Sequence, residues 1–158
     1  MTTPVLDPCC GSRMMWFDKD DPRATFGDIR TETRDLCDGR VLTVDPDVVM
    51  DFRDMPFHDD TFHLVVFDPP HLERLGKDSW TAAKYGQLLP GWRDDLRLGF
   101  AECFRVLKPG GTLIFKWNED QIPVSEVLAL TPEKPLFGHK SGRLSKTHWI
   151  AFIKDGGS

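Results

Sequence analysis

The stretch Val65-Val66-Phe67-Asp68-Pro69-Pro70-His71 carries an apolar run straight into a carboxylate, two prolines and an imidazole. An ionised carboxylate accepts hydrogen bonds from N–H and O–H groups. Two consecutive prolines hold the backbone around it rigid. The same residues also suit an ordinary turn after a strand. What favours chemistry is repetition. Three more short apolar segments end in an acid: Val5-Leu6-Asp7, Ala24 to Asp28 and Val48 to Asp51. If these segments are parallel strands, Asp7, Asp28, Asp51 and Asp68 line one edge, where open α/β sheets bind ligands. Like charges gathered there repel one another. A ligand rich in hydroxyls and amines would explain them.

The elements needed to position these acids are legible in outline. Residues 5–7, 24–28, 48–51, 63–68, 112–117 and 148–154 read as strands. Residues 94–107 carry Leu96, Phe100, Cys103, Phe104 and Leu107 at helical spacing. Asp94 and Asp95 lie at the favourable end, and Lys108-Pro109-Gly110-Gly111 stops the run. Residues 124–130 read as a short helix, 12–18 as a short helix or a loop, and 30–39 as polar and helical in part. Strands separated by helices imply an α/β fold: a Rossmann-like, doubly wound, mainly parallel sheet with an antiparallel last strand. At 158 residues the chain reads as one domain with one core, and no run approaches the ~20 apolar residues of a membrane span. Cys9, Cys10, Cys37 and Cys103 lack the spacing of a zinc site, so no metal is expected. They read as reduced thiols in a cytoplasmic protein. The net charge of −5 argues against a broad basic surface for duplex nucleic acid.

Four segments, taken in order, carry a family resemblance. VLDPCCGS resembles the first motif of class I S-adenosylmethionine (SAM)-dependent methyltransferases, and VVFDPPH resembles their Asp-Pro-Pro-aromatic catalytic motif. DFRDMPFHDDTFHLVVFD is similar to their third and fourth strand region, and VLKPGGTLIF to the segment entering their fifth strand. The resemblance implies residues 1–158 as one methyltransferase domain, without a separate target-recognition domain. It implies SAM as cofactor. Asp7, Pro8, Cys9, Cys10, Gly11 and Ser12 would surround its methionine part, Asp28 its ribose, and Asp51 and Phe52 its adenine. Asp68, Pro69, Pro70 and His71 would face the acceptor. The implied activity is methyl transfer to an exocyclic amine, foremost adenine N6 in DNA or RNA that is single-stranded or has the base flipped out. Protein glutamine, a small molecule or a non-catalytic SAM-binding subunit are the other readings. A partner subunit or a homodimer fits so small a core. Two positions depart from the family pattern: Arg13 stands where a glycine is usual, and His71 where an aromatic is usual. The short spacing from Ser12 to Asp28 implies that the first helix is truncated or lost.

Other readings stay open for individual residues. Asp28 also suits a helix cap, and Asp51 a solvated strand end. Cys9 and Cys10 suit packing better than nucleophilic roles. Met14, Met15, Trp16 and Phe17 could be core or ligand wall. The segment 72–93, with Trp80, Tyr85, Trp92, Lys77 and Lys84, reads as a lid or binding loop, or as a cover over the core. Residues 138–148 hold Lys140, Arg143 and Lys146. They read either as a basic loop for phosphates or as a solvated hairpin.

Overall fold

The computed structural model describes residues 2–36, 38–71 and 90–156. Its strands are β1 (Val5–Asp7), β2 (Ala24–Asp28), β3 (Glu32–Asp35), β4 (Val41–Val44), β5 (Val48–Val49), β6 (Phe62–Phe67), β7 (Leu107–Asn118), β8 (Phe137–Lys140) and β9 (Thr147–Ile153). The helices are α1 (Trp92–Val106) and α2 (Val124–Leu128). Seven strands form one sheet in the order β5-β2-β1-β6-β7-β9-β8. The first five are parallel, β9 pairs antiparallel with β7, and β8 pairs antiparallel with β9. The expected fold class and the antiparallel end of the sheet are both present.

Alternation along β7 decides which face is core. Leu113, Phe115 and Trp117 are fully buried, while Thr112, Ile114, Lys116 and Asn118 are half-buried on the other face. The buried row meets α1, whose Leu96, Phe100, Cys103 and Phe104 form a stripe along one side. Phe100 lies 4.9 Å from Phe115 and 5.5 Å from Phe67, and Phe104 lies 5.6 Å from Phe152. Asp94 and Asp95 sit in the first turn of α1 and Arg105 in the last, each complementing the helix dipole.

The crossovers early in the chain differ from the expected ones. Residues 12–18 form turns and bends, as a lost first helix requires. Residues 30–39, read as partly helical, instead supply β3, which pairs antiparallel with β4. Thr33 and Thr43 pair across the strands, and Leu36, Leu42 and Val44 close a small separate core. Strand pairing with a segment that showed no helical period outweighed the weak local pattern. Among the described residues, no helix therefore crosses between β1 and β2 or between β2 and β5. Residues 72–89, most of the expected lid, lie outside the described residues. Trp92 from that segment is a core residue at the start of α1. No described helix is long and apolar enough to cross a membrane.

Candidate functional site

Asp7 and Asp28 end β1 and β2, Asp68 follows β6 directly, and Asp51 lies two residues beyond β5. The sheet thus brings the four acids to the carboxyl ends of neighbouring parallel strands. A cavity of about 370 Å³ opens there. Pro8, Cys9, Cys10, Gly11 and Ser12 line one side, Asp28, Asp51 and Phe52 another, and Asp68 and Pro70 a third. Asp7, Pro69 and His71 stand outside the lining.

The first loop is built on buried carboxylates. Asp7 is shielded completely from solvent, accepting from Trp16 Nε1 at 2.8 Å and from the Cys9 amide at 3.3 Å. Burial pushes its carboxyl up to about 7, and neighbouring Asp68 and Asp28 add to the rise. Asp7 is therefore a foundation under the cavity rather than part of its wall. Gly11 takes φ 52°, which lets its amide donate to Asp28 Oδ2 at 2.8 Å. Asp28 Oδ1 accepts from the Arg30 amide at 2.9 Å and from Arg30 Nε at 3.4 Å. A carboxylate offers about four acceptor sites, and Asp28 brings its group to the cavity wall with three contacts made. Asp28 caps no helix, because β3 follows it.

Arg13, standing where the family pattern has glycine, also has positive φ, at 61°. Its guanidinium lies 3.9 Å from the centre of the Phe26 ring and donates to the carbonyls of Lys19 and Asp45. It pins two loops together and does not line the cavity. Met14 and Met15 are cavity wall, Trp16 supports Asp7, and Phe17 is fully exposed.

Asp51 is held by Arg53. Its Oδ1 accepts from the Arg53 amide and Nε, and its Oδ2 from Nε at 3.0 Å and Nη2 at 2.6 Å. The guanidinium keeps this carboxyl below the usual range and also reaches Asp95 at 3.1 Å. The carboxylate expected to meet an adenine amine thus already accepts four hydrogen-bond contacts. The Phe52 ring turns toward the core, 5.3 Å from Phe67.

Asp68 contrasts with Asp51. Its side chain is only 17% exposed, and burial pushes its carboxyl up to about 6 despite the Lys116 ammonium 3.5 Å away. Asp68 accepts no closer hydrogen bond among the described residues. His71 lies 6.1 Å from Trp117, edge to face. Burial and the Lys116 charge push its imidazole down to about 4, so it is neutral at pH 7. Burial also pushes the thiols up, that of Cys10 to about 12, which leaves both as packing groups.

Four cavity residues escaped the reading of the sequence: Ile29, Arg30, Met50 and Lys116. Lys116 was detectable in principle, as the one charge inside the apolar strand TLIFKW. The 138–148 segment forms β8, a turn and the start of β9. Lys146 pairs with Asp120 at 2.7 Å and Lys140 with Glu119 at 3.7 Å, while Arg143 is exposed.

No protein-family model matches this chain, and no curated protein does. Solved structures do. A SAM-dependent methyltransferase of Methanosarcina mazei superposes with TM-score 0.56 at 13% identity, over 96% of this chain and 92% of that one. The methyltransferase in complex with the Haloferax volcanii activator Trm112 gives 0.56 at 14% identity, over 99% and 84%. TrmN from Thermus thermophilus gives 0.59 at 14% identity, over 97% of this chain but 44% of TrmN. At these identities the likeness concerns architecture: the chain has the fold of SAM-dependent methyltransferases.

Proposed function

We propose that the chain is a SAM-dependent N-methyltransferase whose acceptor is an exocyclic amine, foremost adenine N6 in single-stranded or flipped nucleic acid. One observation carries the proposal: a poorly solvated carboxylate, Asp68, on a rigid Asp-Pro-Pro turn shares a cavity with the Asp28 and Gly11 loop. The cavity suits SAM. Its volume is within the ~300–1,000 Å³ usual for ligands, and Met14, Met15 and Met50 give it apolar wall. Its lining carries three acids, Asp28, Asp51 and Asp68, against Arg30 and Lys116, an excess of one acid that suits a cationic sulfonium. Asp28 would hold the ribose hydroxyls and residues 8–12 the methionine part. Phe52 and Ile29 would flank the adenine.

Bound SAM supplies a methyl group whose bond to sulfur breaks as the bond to nitrogen forms, leaving a neutral thioether. The chain supplies alignment. Asp68 accepts one amine hydrogen, which helps aim the nitrogen lone pair at the methyl group. A hydrogen bond to a charged acceptor contributes roughly 1.5–3 kcal/mol, and positioning up to about 7–11 kcal/mol, so alignment dominates. The methylated amine carries an extra proton. Asp68, with its carboxyl raised to about 6, is the better receiver. His71, held near 4, is the weaker one and serves as a neutral surface for the acceptor ring.

Incubating the chain with tritiated SAM and pools of DNA, RNA and protein tests this reading. Label in adenine that Asp68→Ala abolishes while SAM still binds is the expected result. An unlabelled set of pools refutes it. Label in protein instead favours the second reading, a glutamine carboxamide. That reading draws support from the paired lysines of the hairpin and the net charge of −5. The partner subunit stays a proposal, supported by the Trm112 complex among the structural relatives.

A further inference from the structure

Lys116 has no role in the mechanism above, yet it is placed to take one. It belongs to β7, beside the strand that delivers Asp68. Parallel pairing runs Val66 to Ile114 and Phe67 to Phe115, so the next step sets Asp68 beside Lys116. Both side chains line the cavity. The lysine is 22% exposed, and its Nζ stands 3.5 Å from Asp68 Oδ2, the limit of a hydrogen bond. On the other side the register sets Lys116 opposite Trp149, whose ring centre is 5.3 Å from Nζ. The Trp149 indole is itself anchored, donating to Ser141 Oγ at 2.8 Å. The ammonium is therefore held between a carboxylate and an aromatic face. It carries three N–H donors, and its one polar partner among the described residues is Asp68. The ammonium is part-exposed at the cavity wall, and one stretched ion pair leaves most of its donor capacity unused.

Asp68 and Lys116 together present an acceptor and a donor side by side. Their complement is an N–H donor flanked by an acceptor atom. We infer that Lys116 donates to the atom beside the target amine, so that the pair selects amidine or carboxamide edges and rejects isolated or cationic amines. In adenine that atom is N1 or N7, in cytosine N3, and in glutamine the amide oxygen. An aliphatic ammonium offers no such atom and is repelled by Nζ. This inference rests on the proposed methyl transfer and names its substrate class.

The test compares oligonucleotides carrying adenine, 1-deazaadenine or 7-deazaadenine, all of which keep the amine. The intact chain is expected to methylate one deaza analogue about 10- to 100-fold more slowly than adenine, the loss of one hydrogen bond to a charged group. Fluorescence anisotropy is expected to show weaker binding of the same analogue. Lys116→Met is expected to slow adenine by a similar factor and to erase the difference between analogues. Its pH–rate profile should also move its acidic limb upward, because Asp68 loses the charge that lowers its pKa. Equal rates on all three bases by the intact chain overturn the role of Lys116 while leaving the methyltransferase intact. A Lys116→Met variant that still discriminates does the same. Absence of methylation from every base, with SAM bound, removes the parent reading and this one with it.

Discussion

At the scale of single residues, environment separates four similar aspartates into different tasks. Asp7 is sealed and holds Trp16. Asp28 ties the Gly11 amide to Arg30 at the cavity wall. Asp51 is filled by Arg53, and Asp68 faces the cavity with Lys116 beside it. Asp28→Ala is expected to weaken SAM binding about 10- to 100-fold, because a charged acceptor and the anchor of the Gly11 amide both go. Unaltered affinity in calorimetry excludes Asp28 from the cofactor site. At His71 the comparison is between shapes. His71→Phe should keep more methyl transfer than His71→Ala if the ring serves as a surface. Equal losses in steady-state rates would instead favour a role for the imidazole in taking up the released proton. Transfer by the intact chain should fall as pH drops through about 6, where Asp68 gains its proton and stops accepting from the amine. A rate that stays flat from pH 7.5 to 5 contradicts that assignment.

At the scale of elements, the join between α1 and the sheet is tight at one glycine. A Cβ on Gly99 would stand 2.8 Å from both Phe52 Cδ1 and Phe67 Cζ. Alanine is favoured over glycine inside a helix by about 1 kcal/mol, while overpacking a core costs about 1–3 kcal/mol. Two aromatic rings packed edge to face yield little, so the clash wins. Gly99→Ala is expected to lower the melting temperature. It should also weaken SAM binding, since Phe52 lies between the helix and the cavity. A higher melting temperature would show that the rings move aside freely. Strand pairing corrected the reading of residues 30–39 for a related reason. A polar segment such as Glu32–Asp35 has no strong period of its own, and its structure comes from its neighbour, Val41–Val44.

At the scale of the molecule, burying acids ties stability to pH. Asp7 titrates near 7 in the folded chain against 3.8 ordinarily, so the folded form holds its proton more tightly. Folding therefore takes up a proton between about pH 4 and 7. The contribution of this group is complete below that window and is lost as pH rises through it, by about 1.4 kcal/mol per unit. Asp68 adds in the same direction up to about 6. Asp7→Asn removes the larger part, and its amide oxygen still accepts from Trp16. Urea unfolding should show the variant gaining on the native chain between pH 5 and 8. Parallel curves would mean that Asp7 is ionised throughout.

The sequence by itself determined the class of the fold, because short apolar segments and the amphipathic run of α1 are legible from residue order and spacing alone. It also determined which acids meet at the carboxyl edge, since each is tied to the end of its own strand. Ten of the thirteen residues expected at the site line the cavity. What the tertiary structure decided is how each group is occupied. That Asp51 is filled by Arg53, that Arg13 lies on Phe26, and that Lys116 stands beside Asp68 depend on through-space neighbours. The physical reason is that strand register and loop packing, not the order of residues, set the distances over which charges and hydrogen bonds act.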